Sequence, residues 1–168
     1  MRDKTDTLVK LIEKGPHGLD QLRGVGVMGD SEDNPSGQLD VAIQIATSLG
    51  FSRPAKDLRD AQQCERNGRR FCVALSPSHQ RQGRIEDLIV EEVSTDPAYQ
   101  CLELGFSCIE GLNNAPVDAK ARVQMFISAK ANSSLAGIRH AFGAKIFNPN
   151  ATAYSAARSM VDYVLAAT

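Results

Sequence analysis

Asp30, Glu32 and Asp33 place three carboxylates within four residues, directly after the apolar run Val25–Gly29. Acids that close repel one another unless a cation or basic side chains lie between them. A hard divalent ion with oxygen ligands meets that need, and magnesium is the candidate. It is commonly anchored by one or two carboxylates, keeps several waters and accepts substrate phosphate as a further ligand. Asp30 and Glu32 are the expected ligands, with Asp33 completing the shell or orienting a water. The plainer alternative is a solvated turn opening a helix, a use to which Asp, Ser and Asn are often put.

A second polar cluster follows the next apolar run. His79, Arg81 and Arg84 lie in the segment after Ser76, and Glu86 and Asp87 come directly behind. Arginine suits bidentate phosphate binding, which makes Arg81 and Arg84 candidate phosphate contacts. His79 and Glu86 are the candidate catalytic groups. Each has a plainer reading: an exposed loop histidine for His79, pairing with Glu86 and Asp87 for the arginines at ~0–1 kcal/mol a pair, and complementing a helix dipole for Glu86.

The elements that must position these groups can be read from periodicity. Arg23–Gly29 reads as a strand ending at Asp30, and Arg70–Ser76 as a second strand of the kind buried on both faces in a parallel sheet. Between them, Gln38–Leu49 reads as a helix with Leu39, Ala42, Ile43, Ala46 and Leu49 inward, capped at Asn34–Pro35 or Ser36 and ended by Gly50. Strand, helix, strand makes a βαβ unit with both strand ends on one edge. The acids after the first strand and the His79–Arg84 loop after the second should therefore be neighbours, and the functional alternative to a helix-dipole role for Glu86 is that it points back toward the Asp30 cluster.

Elsewhere Thr7–Lys14 reads as a short helix with Leu8, Leu11 and Ile12 on one side. Residues 51–67 read as a polar surface connection with a small helical turn. Helices are expected over Arg84–Val93, from Asp96–Pro97 to about Glu110, over Pro116–Ala131, Ser134–Phe142 and Tyr154–Leu165, and Lys145–Phe147 reads as a short edge strand. The stripe Tyr154, Ala157, Met160, Val161, Val164 and Leu165 should face the core.

The chain has 168 residues, which suits a single domain over 1–168. Nineteen basic against twenty acidic residues leave a net charge of -1, so the molecule as a whole exerts no pull toward nucleic acid, although a local basic strip is compatible with it. No apolar run approaches the ~20 residues that span a bilayer, and the amino terminus lacks a secretion signal, which points to the cytoplasm. Cys64, Cys72, Cys101 and Cys108 form no C-x-x-C pair and read as free, mostly buried thiols. Gly24, Gly26 and Gly29 have a spacing reminiscent of a dinucleotide fingerprint but fall inside the strand. Ser76 stands where a receiver domain would carry its phosphorylated aspartate.

Two local patterns together resemble the TOPRIM-type domains. Val25–Asp33 is similar to their Asp-x-Asp strand end, with Asp30 first and Glu32 in place of the second aspartate. Val73–Pro77, followed by Gly83, Glu86 and Asp87, resembles the strand, proline loop and Gly-x-x-Glu-Asp helix start of a small bacterial TOPRIM-like family, and Lys120–Arg122 adds to the likeness. The resemblance covers roughly residues 20–168. It implies an α/β fold with a small central, mostly parallel sheet flanked by helices and a helix-rich C-terminal half. It also implies a magnesium ion used on nucleic-acid phosphodiesters, as in a nuclease or phosphotransferase. The chain departs from the pattern in one respect. TOPRIM domains open with a strand ending in a glutamate, whereas the one glutamate before Asp30 is Glu13, inside the first helix. Two expectations follow: a metal-dependent enzyme, or a catalytically inactive scaffold that binds a protein partner or itself. A sheet without its first strand exposes an edge, so a homo-oligomer is expected.

Overall fold

Parallel pairing of two apolar runs organises the first half of the chain. The computed structural model describes residues 2–14, 22–52, 61–66, 68–78, 80–131 and 137–166. In chain order its elements are α1 (Arg2–Lys14), β1 (Gly24–Asp30), α2 (Pro35–Ser48), β2 (Ala61–Arg66), β3 (Arg69–Ser76), α3 (Ile85–Val93), α4 (Pro97–Asn113), α5 (Ala119–Ala131), α6 (Ile138–Gly143), a 3-10 turn (Thr152–Tyr154) and α7 (Ser155–Leu165). They fall into two compact units, Met1–Arg84 with Ser155–Thr168, and Ile85–Tyr154.

The first unit is α/β. β1 runs parallel to β3 in register from Gly24↔Arg70 to Asp30↔Ser76, and β2 runs antiparallel to β3, giving the order β1-β3-β2. Phe71, Val73 and Leu75 of β3 face one side of the sheet, where they join Val25, Leu39, Ile43, Ala46 and Phe51 in a core that Val9 and Ile12 of α1 also cover. Cys72 and Ala74 face the other side and pack on Met160 of α7. Gly24 and Gly26 of β1 serve this second contact. A Cβ at Gly24 would sit 2.8 Å from the Arg70 carbonyl oxygen and 2.9 Å from Val164, and one at Gly26 would sit 3.3 Å from the Met160 sulfur. Their spacing thus reflects close approach of a helix to a strand.

α2 has the expected frame. Pro35 occupies its first turn, and the Asn34 side chain accepts a bond from the Gly37 N–H at 2.9 Å. At the other end Gly50 adopts φ +77, so that Gly50 N–H reaches Thr47 O and Phe51 N–H reaches Ala46 O, each at 2.9 Å, in a Schellman motif.

The second unit is helical. Leu88, Ile89 and Val93 of α3, Tyr99 and Phe106 of α4, and Val123, Phe126 and Ile127 of α5 enclose its core with Phe147 and Tyr154. An aromatic chain runs through it, with Tyr99 5.9 Å from Phe126 and Phe126 6.2 Å from Phe147, centroid to centroid. No helix among the described residues is long and apolar enough to cross a membrane.

Five expectations need correction, the first being that the thiols are mostly buried: Cys72 is buried, but Cys101 and Cys108 of α4 are exposed. Residues 61–66, read as part of a surface connection, form β2, a polar strand whose pairing with β3 outweighs its weak propensity. The sheet is accordingly a parallel pair extended by an antiparallel third strand. Lys145–Phe147 is the closing turn of α6 and not an edge strand: Lys145 has φ +58, and Ile146 N–H bonds Ala141 O at 2.9 Å. In α7 the inward face is Met160, Val164, Ala156 and Tyr163, while Val161 and Leu165 are exposed. Leu11 of α1 is exposed as well. The beginning of the helix expected at Ser134 lies outside the described residues.

Candidate cation and phosphate site

Because β1 and β3 are parallel, their carboxyl ends share one edge of the sheet, the edge at which open α/β sheets bind ligands. Ser31 N–H bonds Ser76 O at 2.8 Å, extending the pairing by one residue, and the Ser31 hydroxyl donates to Ser78 O at 2.5 Å. Beyond it Glu32 and Gly83 exchange backbone bonds of 2.8 and 3.0 Å, and the Gln82 amide donates to Asp33 O at 2.7 Å. The acidic loop and the arginine loop are therefore knitted together, as the βαβ reading expected.

Within this knot the side chains differ. Asp30 is half-buried, Ser31 is fully buried, and Glu32 and Asp33 are exposed. Glu32 adopts φ +52 and turns its carboxylate toward Arg84, whose Nε lies 3.7 Å away. Both side chains are about half exposed, 50% and 48%, so solvent screens the pair heavily. Arg81 is exposed, and its N–H contacts Ser78 O at 3.4 Å. The solvated-turn reading thus describes Glu32 and Asp33, which precede the Asn34 cap of α2. Glu86 stands in the first turn of α3, in the second unit. His79 lies outside the described residues.

Sequence reasoning passed over Ser76 as a functional group. It is 1% exposed, and its hydroxyl has no hydrogen-bond partner among the described residues. An unpaired buried hydroxyl is costly and calls for an explanation. Ser76 is the register partner of Asp30. By the two-residue alternation both lie on the face that Gly26, Cys72 and Ala74 present to α7. A serine closing an apolar run was the available signal; its place opposite Asp30 comes from the register alone.

The donor set can be tested against magnesium. Among the described residues no three His, Cys, Asp or Glu side chains are grouped so as to hold a metal ion. A cage made of protein ligands alone does not fit. An ion anchored by Asp30, with the Ser76 hydroxyl as a neighbouring oxygen, would have to draw most of its shell from water and substrate phosphate.

Among the described residues the perturbed titrations lie in the second unit and are structural in character. The Asp96 carboxyl is held below its usual range, first by Lys130 at 2.8 Å and also by the Ala98 N–H it caps. Burial pushes the Tyr154 hydroxyl up, and its bond to Glu92 adds to the effect. A cleft of about 510 Å³ is lined by Glu92, Asp96, Lys145 and Asn148. Glu92 there already accepts bonds from Asn148 N–H and Tyr154, so its carboxylate is committed to the fold. In comparisons with known proteins, no family model, no curated protein and no solved structure matches this chain.

Proposed function

We propose that the protein binds a magnesium ion at the carboxyl edge of β1 and β3 and acts there on phosphodiesters of nucleic acid. One observation carries the reading: a half-buried aspartate, Asp30, beside a fully buried hydroxyl, Ser76, that lacks a partner among the described residues. Asp30 and Ser76 supply oxygen ligands. Glu32 and Asp33 stand on the adjoining turn, where they hold or orient water. Arg84 and Arg81, on the loop joined to that turn, bind and orient the phosphate through their guanidinium forks. When bound, magnesium polarises the phosphoryl oxygen and offsets the charge that develops on it. The likeness to TOPRIM domains over residues 20–168 supports the same reading.

The test is incubation of the protein with labelled single-stranded and duplex oligonucleotides and magnesium or manganese. Metal-dependent cleavage or binding is expected, weakening steeply with added salt and lost in Asp30→Ala. The same behaviour in wild type and Asp30→Ala would refute it.

A second reading is favoured by the turning of the Glu32 carboxylate toward Arg84. In it the chain is a TOPRIM-like scaffold without catalysis, assembling with itself or a protein partner. Among the described residues β1 lies at one edge of the sheet, where such pairing would take place. A protein that binds neither metal nor oligonucleotide would favour this reading.

A further inference from the structure

Helix α4 is apolar on both sides, a pattern that belongs to a helix enclosed by protein. Tyr99 and Phe106 face the core of the second unit. On the opposite side, at spacings of three and four, Cys101, Leu104, Cys108 and Leu112 are all exposed, with Leu104 at 77% and Leu112 at 81%. Ile109 at 37%, and Met125 of α5 at 40%, add to the exposed apolar surface of this unit. A stripe of this kind asks for a covering surface.

We propose that the outer face of α4 is the contact through which two copies of this chain associate, antiparallel, about a two-fold axis at Cys108. The argument for a second copy is that the stripe is its own complement. Counting outward from Cys108, the third residue in each direction is a glycine, Gly105 and Gly111, and the fourth is a leucine, Leu104 and Leu112. A two-fold axis at Cys108 lays each leucine on the other copy's opposite leucine, and each glycine on the other copy's opposite glycine, as an isologous interface requires. A Cβ built on either glycine would have nothing within 4 Å, so the flanks of the stripe are open to close approach.

Charge points the same way. The charged residues of α4 are Glu103 and Glu110, and both are bound by Arg122 of α5. The flanks therefore carry little repulsion toward a second copy. They also offer nothing to attract the phosphates of a nucleic acid or an anionic membrane. The stripe from Leu104 to Leu112 spans only about 12 Å of helix, and its few side chains cover less than the roughly 800 Å² per partner of a standard interface. The dimer is therefore reversible and concentration-dependent. It is independent of the site at Asp30.

Sedimentation velocity from low to high micromolar concentration tests the proposal. The wild type should pass from monomer to dimer, Asp30→Ala should do the same, and Leu104→Glu/Leu112→Glu should remain monomeric. Both leucines are exposed, so circular dichroism of the double variant should match the wild type. A second measurement does not depend on that variant. Packed helices have axes 8–10 Å apart, which brings the two Cys108 thiols within reach of a short bismaleimide. The Cys101→Ser variant should cross-link as a dimer, and Cys101→Ser/Cys108→Ser should not. A wild type that stays monomeric throughout, equal dimerisation in the leucine double variant, or cross-linking that survives loss of Cys108 would overturn the proposal.

Discussion

Ser76 and Ser31 are the same residue type, are equally buried and lie one backbone hydrogen bond apart, yet truncating them should move stability in opposite directions. The Ser76 hydroxyl is unpaired among the described residues. An unmade bond of that kind costs about 1–3 kcal/mol, and removing the hydroxyl relieves it. The void left in Ser76→Ala, roughly 10 Å³, returns only about 0.2 kcal/mol of that at ~24 cal/mol per Å³. Ser76→Ala should therefore stabilise the metal-free protein by about 1 kcal/mol. Ser31 donates to Ser78 O at 2.5 Å, and among the described residues the other donor to that oxygen is the longer 3.4 Å contact from Arg81 N–H. Losing a net bond and leaving a carbonyl poorly paired should cost Ser31→Ala about 1–2 kcal/mol. Urea denaturation reads both. With a slope of about 1–3 kcal/mol per molar, the midpoints should move apart by roughly 1 M or more with little change in slope. Equal destabilisation by the two substitutions would show that Ser76 is satisfied, and would remove the main support for a ligand at that edge.

Two further outcomes follow from the second unit. Phe126 is fully buried between Tyr99 and Phe147; Phe126→Ala should cost about 3–5 kcal/mol, read as lost hydrogen-exchange protection across residues 85–154, and a loss below ~1 kcal/mol would contradict the packing described. Asp96 carries a depressed pKa, so its contribution is complete above the unfolded value near 3.8 and fades as pH falls through the lower folded value. The melting temperature of Lys130→Met should accordingly fall less than that of the wild type as pH drops below about 4, and identical acid profiles would refute that coupling.

The frame of the site was legible because its signals are local. Asn34–Pro35, the period of Leu39, Ala42, Ile43 and Ala46, and Gly50 fix α2 between two apolar runs. The handedness of βαβ units then brings the two loops together. What escaped depends on partners distant in sequence. β2 has no apolar period of its own and exists through its register with β3. Lys145 takes a left-handed conformation usually left to glycine, so a three-residue apolar segment that looked extended is a helix cap. Ser76 gains its significance from standing opposite Asp30, a fact of register that no single run of sequence contains. The outward stripe of α4 was visible as letters, but its exposure became evident only once Tyr99 and Phe106 had fixed which side faces the core.

The central claim is that the edge of β1 and β3 holds a divalent cation through Asp30. Calorimetric titration of manganese or magnesium, with a short oligonucleotide present so that phosphate can complete the shell, tests it most directly. The account predicts saturable heat in the wild type, lost in Asp30→Ala/Glu32→Ala and weakened in Ser76→Ala. Heats that are the same in wild type and double variant, or absent from both, would contradict it.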